Sequence, residues 1–304
     1  MWFAAAVGSA ILFGLAGWWM KVSQMRSGSS TYLLLGLYIS GTAGFGLHAA
    51  VEQNLAASLT DVRVWTAGLL IGAGSAFGNV LFMKALEYGP ASLTSPLTNM
   101  NIVLVVALGT FIYNEPFQGT EFTGVLLLLL AVVLVSIRGR EKLSVKQKKW
   151  FLYVGVSIVL FAVRNGGLKV TEGLGLAGAP VLFVSYALSI LWFAYAALLE
   201  QRRVQSPAVI SAPAAAARAL ADSSRGSSRT GLLWGLVAGL FSYGGLQLYA
   251  VALQTGQANI AGPIFAANSL VVAAGSIVLY RERLTALQWT AFAFMFAGLI
   301  LIRV

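Results

Sequence analysis

Polar residues along this 304-residue chain come in bunches, and the bunches are separated by apolar stretches of roughly 18 to 23 residues. A helix rises 1.5 Å per residue, so such a stretch covers the hydrocarbon core of a bilayer, about 30 Å thick. The pattern predicts ten spans, at residues 2–21, 31–51, 64–86, 91–113, 120–137, 150–170, 179–199, 231–253, 258–280 and 285–303. A transmembrane β-barrel would alternate polar and apolar positions, and runs such as GVLLLLLAVVLVSI do not. The expected fold class is therefore all-α and integral to the membrane. The first span has no basic stretch before it and no small-residue cleavage site with a soluble domain after it, so it is expected to be a helix of the bundle rather than a signal peptide.

Composition strengthens this reading. Hydrophobic residues make up 58% of the chain and charged residues 10%, against about a quarter charged in ordinary soluble domains; mean hydropathy is +0.81. The net charge of +10 raises nucleic acid as a partner, but the positions of the cations exclude it. With ten spans, 16 of the 20 Lys and Arg fall in or beside odd-numbered connections, Arg63, Lys169 and Arg303 fall on the other side, and Arg164 lies within a span. By the positive-inside rule the odd connections face the cytoplasm and both termini face out, in what is expected to be a bacterial inner membrane. Cysteine is absent, which removes disulfides, thiolate metal sites and cysteine nucleophiles. His48 is the only histidine and is expected to be a packing or interfacial residue, so no metal and no cofactor are expected.

The stretches ALEYGPASLTSPLTNMN from Ala85 and ALQTGQANIAGPIFAAN from Ala252 share their Ala-Leu, Gly, Ala, Pro and Asn at one spacing. At an offset of 167 without gaps, residues 68–136 lie over 235–303 with 18 of 69 pairs identical, among them Gly72/Gly239, Ser75/Ser242, Gly78/Gly245, Pro96/Pro263, Asn101/Asn268 and Glu115/Glu282. The start of each half matches at an offset of 148, WFAAAVGSAILFGLAGWWMKV over WFLYVGVSIVLFAVRNGGLKV. The chain thus reads as a first five-helix repeat at 1–138, a basic connection at 139–149 and a second repeat at 150–304, with a flexible insertion at 201–230. Five spans is an odd number, so the second copy enters the membrane inverted, the architecture of many secondary transporters.

The elements ALEYGPA, Pro96, Glu115 and TGVLLLLLAVVLV, with their echoes ALQTGQA, Pro263, Glu282 and FAGLILI, resemble the drug/metabolite transporter superfamily in its ten-span EamA-domain branch. The resemblance implies a helical bundle around a central cavity, and an exporter of metabolites or amino acids driven by a gradient rather than ATP. The family's usual cytoplasmic termini conflict with the charge asymmetry here.

Polar side chains within spans need a partner or a wet cavity, and they supply the candidate substrate site. Arg164 is the foremost, since an arginine near mid-span costs about 2.5–3.5 kcal/mol on insertion scales. Its repeat counterpart is Ala16, so the shared fold does not require it. Two roles stand open: bonds to carbonyls beside Gly166 and Gly167 or reach toward Glu172, or contact with an anionic substrate. Asn165, Asn79, Asn99, Asn101, Tyr243, Gln247 and Asn268 are polar at comparable depth, and Trp18 is an aromatic candidate beside an interfacial role. Asn79 and Gln247 have the apolar counterparts Leu246 and Val80, which marks them for a site, whereas Asn101 and Asn268 are counterparts of each other and are expected to bond between helices. The GxxxG patterns at Gly68–Gly72 and Gly235–Gly239 are expected at close helix crossings. Pro96 and Pro263 are expected to loosen their helices.

Carboxylates fall at span ends or in connections, with none at mid-membrane. Glu115 and Glu282 read as cap or topology residues, and Lys84 with Glu87 as a pair on one helix face. Without a buried acid to trade protons for a cationic drug, a small zwitterionic or anionic metabolite is the expected substrate, moved by alternating access, with a proton or ion as a candidate coupling partner. Other readings are a flippase for a lipid-linked anion, a multidrug or cation exporter, and a non-transporting membrane scaffold or sensor. No phosphate-binding loop, HExxH or Ser/His/Asp set is present, so no enzyme is expected. Monomer and homodimer are both compatible with a cavity built in one chain.

Overall fold

The computed structural model describes residues 1–88, 97–135, 148–204, 214–280 and 286–303. Every described element is a helix: α1 (Trp2–Met25), α2 (Ser30–Val51), α3 (Leu55–Leu59), α4 (Val62–Tyr88), α5 (Asn101–Ala107), a π-helical turn (Leu108–Ile112), α6 (Gly119–Val135), α7 (Lys149–Gly173), α8 (Gly178–Val204), α9 (Ala214–Thr255), α10 (Ala258–Ala266), α11 (Asn268–Tyr280) and α12 (Ala286–Arg303). Among the described residues α1, α2, α4, α7, α8 and α9 each contain a stretch long and apolar enough to cross a membrane.

The predicted spans 91–113 and 258–280 do not form continuous helices. Pro263 cannot donate to the Asn259 carbonyl, α10 ends at Ala266, and a new helix starts at Asn268 after Ala267. Asn268 Nδ2 donates to the Phe265 carbonyl at 2.7 Å, closing the break. The same device recurs at α5, where Asn101 Nδ2 donates to the Thr98 carbonyl at 2.7 Å. The Asn268 side chain thus bonds within its own strand of chain rather than across helices. Pro96 lies outside the described residues.

The predicted loop 201–230 is also revised. Helix α8 continues to Val204 and α9 is already helical from Ala214, so residues 214–230 extend the following span instead of looping out. Ser227 anchors this extension, its carbonyl accepting from Ser29 N at 3.0 Å and its hydroxyl donating to the Ser27 carbonyl at 2.7 Å.

Packing runs mostly between the two halves of the chain. Helix α9 lies against α1 and α2, α4 lies against α7 and α8, α2 meets α8, and α6 meets α12. Glycines permit these crossings. A Cβ at Gly72 would sit 2.8 Å from the Ser185 carbonyl oxygen, and one at Gly36 would sit 2.5 Å from that of Leu232. The predicted GxxxG faces are used this way, Gly68 and Gly72 toward α8 and Gly235 and Gly239 toward α2.

Candidate functional site

Helix α7 carries Arg164 into the centre of the bundle, where the residue is only 8% exposed. Its Nε donates to Asn165 Oδ1 at 3.0 Å, and Asn165 Nδ2 donates to Asn101 Oδ1 at 2.8 Å. The guanidinium lies over two phenylalanine rings, 5.2 Å from the centroid of Phe13 and 5.0 Å from that of Phe161. Each such contact contributes about 0.5–2 kcal/mol, enough together to offset much of the insertion cost of about 2.5–3.5 kcal/mol. Among the described residues no carboxylate pairs with Arg164. Of the two structural expectations for it, neither is met among the described residues: its acceptor is a side-chain amide, and Glu172 takes Lys169 Nζ at 3.1 Å. The only hydrogen bond of Arg164 among the described residues is through Nε, and a guanidinium presents its Nη groups in a fork suited to carboxylate or phosphate.

Paired residues from both halves frame this cation. Phe13 and Phe161 correspond at the 148-residue offset, and Gly245 and Gly78, which correspond at 167, are the positions that make room for them. A Cβ at Gly78 would lie 2.7 Å from the Phe161 ring and one at Gly245 would lie 2.8 Å from Phe13 N. Tyr38 and Tyr186, also counterparts, meet edge to face at 4.9 Å. Their hydroxyls bond the counterpart serines, Tyr38 with Ser75 and Tyr186 with Ser242, both at 2.8 Å. Asn79 breaks the correspondence by donating to the Tyr38 hydroxyl at 3.1 Å. Tyr249 stacks on Phe265 at 4.4 Å, and Phe265 packs on Phe13 at 4.9 Å.

Of the residues singled out in the sequence, Arg164, Asn165 and Asn101 therefore form one chain of contacts, and Asn79 joins the tyrosine frame beside them. Tyr243 and Gln247 belong to a second cluster on the α2–α9 seam. There His48 Nδ1 lies 3.1 Å from Tyr243 Oη, and His48 Nε2 lies 3.1 Å from both Gln247 Nε2 and Glu52 Oε1. His48, expected as a packing or interfacial residue, makes polar contacts with all three. Asn99 is half-buried just before α5 and makes no contact with either cluster among the described residues. Trp18 packs against Gly275 of α11 and against Trp19 at 4.9 Å, away from the guanidinium. Sequence reading missed Phe13, Phe161, Tyr38, Tyr186 and Tyr249; the first four were accessible as aromatic pairs at the 148-residue offset.

Glu115 ties the segment after the π-helical turn to the start of α10 and to α7. Its Oε1 and Oε2 accept from Ala258 N and Asn259 N, both at 2.9 Å, capping α10, where the helix dipole favours a negative charge. Lys169 Nζ lies 3.3 Å from Glu115 Oε1 and donates to the Leu253 carbonyl at 3.4 Å. The cap reading of Glu115 holds; Glu282 and the side chain of Glu87 lie outside the described residues. On the flank of the bundle, a half-open groove of about 520 Å³ runs between α4, α5 and α7, walled by Leu104, Val163 and Gly166 among other apolar residues, with Arg63 and Thr66 among its polar lining.

Comparison with known proteins gives short matches to curated relatives. The chain is 29% identical over 62 residues to a probable 4-amino-4-deoxy-L-arabinose-phosphoundecaprenol flippase subunit ArnE of Proteus mirabilis, covering 20% of this chain and 55% of that protein. A protein of the same description from Pseudomonas fluorescens is 28% identical over 106 residues, covering 34% of this chain and 93% of that protein. The chain spans about half the length of the Proteus relative that it matches. A crystal structure of a protein whose description states no activity superposes with a TM-score of 0.70 over 96% of both chains at 14% identity, a likeness of fold. The EamA-like transporter family matches residues 1–137 and 180–304. With two matched stretches that together cover most of its length, and with the apolar helices that such a fold requires, the chain belongs to the EamA-like transporter family.

Proposed function

We propose that this protein is a secondary active transporter that exports a small zwitterionic or anionic metabolite, amino-acid-like in size, by alternating access. The observation that carries the reading is Arg164: a buried cation with no carboxylate partner among the described residues, held between two aromatic rings. A permanently paired arginine would serve the fold. One without a carboxylate partner among the described residues, in a frame of hydrogen-bonded tyrosines, serves a ligand that brings its own negative charge.

Two inverted five-helix repeats form the moving parts of this proposal. In support, exchanging each helix for its counterpart reproduces the packing: α2 on α9 becomes α8 on α4, α1 on α9 becomes α7 on α4, and α2 on α8 and α6 on α12 map onto themselves. Exchange of conformation between such halves opens a shared site to one side and then the other. The odd connections face the cytoplasm in this proposal, and the domain limits are 1–138 and 150–304.

Stabilisation of the purified protein by ligands tests the assignment. Glycine, L-glutamate, inorganic phosphate and tetramethylammonium are compared by thermal unfolding, in wild type and in Arg164→Gln. A ligand at a hundredfold its Kd stabilises by about 2.7 kcal/mol. Stabilisation by a carboxylate or phosphate that disappears in Arg164→Gln is the expected result. Stabilisation by the quaternary amine alone, or stabilisation that persists in the variant, overturns the proposal.

A second reading, a flippase for a lipid-linked anion, is favoured by the lateral groove. Its lining of Leu104, Val163, Gly166 and other apolar residues suits an alkyl chain beside the helix that carries Arg164. Stabilisation by a polyprenyl phosphate but not by inorganic phosphate selects this reading.

A further inference from the structure

His48 Nε2 has two neighbours at 3.1 Å that make opposite demands on it. Gln247 presents its amide nitrogen, a donor, so the ring nitrogen must carry a lone pair. Glu52 presents a carboxylate oxygen, an acceptor, so the same nitrogen must carry a proton. No single protonation state satisfies both. Nδ1 meets no such conflict, because an Nδ1–H donates to the Tyr243 hydroxyl in the neutral ring and in the cation alike. The other end of the same amide agrees: among the described residues the buried Gln247 Oε1 has no hydrogen-bond partner. Rotating that amide by half a turn brings an acceptor to the ring in place of a donor.

We propose that His48 is a proton-binding site on the α2–α9 seam, with Gln247 and Glu52 as the alternative partners of its Nε2. In the neutral ring Nδ1 holds the proton and Nε2 accepts from the Gln247 amide. When a proton arrives at Nε2, the new N–H donates to Glu52, and Gln247 turns its Oε1 toward the ring. Nothing is consumed; a solvent proton becomes an imidazolium N–H, and Nε2 turns from accepting from Gln247 of α9 to donating to Glu52, the residue that follows α2. Imidazole is the side chain suited to this, since it changes charge between about pH 5 and pH 8.

The surroundings concentrate the effect on this ring. Glu52 from just past its own helix and Tyr243 from α9 are the titratable groups that face it. Among the other helices packed on α2, α1 has no charged residue from Trp2 to Met20, α3 has none, and α8 has none before Glu200. In the repeat correspondence His48, Tyr243 and Gln247 fall opposite Ala196, Ala76 and Val80. The counterpart seam between α8 and α4 lacks these residues, so the duplicated fold does not depend on the cluster. In the transport reading this proton is the coupling ion; the site itself is independent of that reading.

The chain has a single histidine, so ¹⁵N-histidine labelling of the full-length protein in detergent reports on one imidazole without assignment. The neutral ring is expected with its proton on Nδ1, and the ring in acid with protons on both nitrogens. Gln247→Leu removes the donor that Nε2 needs and is expected to move the neutral proton to Nε2, facing Glu52. A wild-type ring that already carries its neutral proton on Nε2 overturns the proposal, as does a ring still neutral in acid or a tautomer unchanged by Gln247→Leu. These spectra require no substrate. A failed anion screen would therefore leave the proton site standing, and failed spectra would leave the Arg164 site standing.

Discussion

Replacing Glu115 by alanine should loosen the junction it makes with α10 and α7. The carboxylate accepts two backbone N–H groups at 2.9 Å and faces Lys169 Nζ at 3.3 Å, with Glu115 9% and Lys169 12% exposed at their side chains. Hydrogen bonds to a charged group contribute about 1.5–3 kcal/mol each, and removing one partner of a buried ion pair costs about 3–5 kcal/mol. These figures describe the same oxygens and do not add. Lys169 also retains Glu172 at 3.1 Å, which limits the charge left uncompensated. The expected loss is about 3 kcal/mol for Glu115→Ala. Lys169→Met should cost less, because the Glu115 carboxylate keeps both backbone donors. Thermal or denaturant unfolding of the purified protein measures each, and the double variant gives their coupling, expected at about 1–2 kcal/mol for two charges in contact. Glu115→Ala within about 0.5 kcal/mol of wild type, the range of an ordinary surface substitution, would refute the view that this carboxylate holds the junction together.

Three further outcomes follow from the packing. Gly78→Leu drives a side chain into the Phe161 ring and should destabilise by about 2–3 kcal/mol, whereas Gly155→Ala, with open space around the new Cβ, should be neutral or gain up to about 1 kcal/mol; unfolding midpoints separate the two. Tyr38→Phe removes a hydroxyl that serves both Ser75 and Asn79 and should cost about 1–3 kcal/mol, more than Tyr186→Phe, which separates only Ser242 from its partner. Because the chain has no cysteine, single cysteines at Arg26 and at its repeat counterpart Leu174 can be labelled from either side of a sealed vesicle; inverted repeats place them on opposite sides, and labelling from one side would overturn the inversion.

Much of this protein was legible in its sequence because lipid leaves the chain few options. Backbone groups without water must be satisfied within the segment, so the length and continuity of apolar stretches led directly to helices, and the membrane-length helices α1, α2, α4, α7, α8 and α9 fall on predicted spans. The duplication was equally visible, since equal spacings of Gly, Pro, Asn and Glu survive without any knowledge of where those residues point. Arg164 stood out for its cost alone.

Tertiary structure decided what each polar group meets, because contacts across helices depend on rotation and depth that hydropathy does not encode. Glycines on α4 and α9 set how near the neighbouring helices come, and that distance puts Phe13 and Phe161 over the guanidinium from opposite halves. It also gives Arg164 an amide where a carbonyl or Glu172 was expected, and makes His48, expected as a packing or interfacial residue, the shared neighbour of Tyr243, Gln247 and Glu52. The breaks at Asn101 and Asn268 were hidden for a similar reason: a side-chain amide that bonds a carbonyl three residues back looks, in sequence, the same as one that reaches another helix. Composition fixed the solvent and therefore the helices; the close approach of those helices fixed the chemistry.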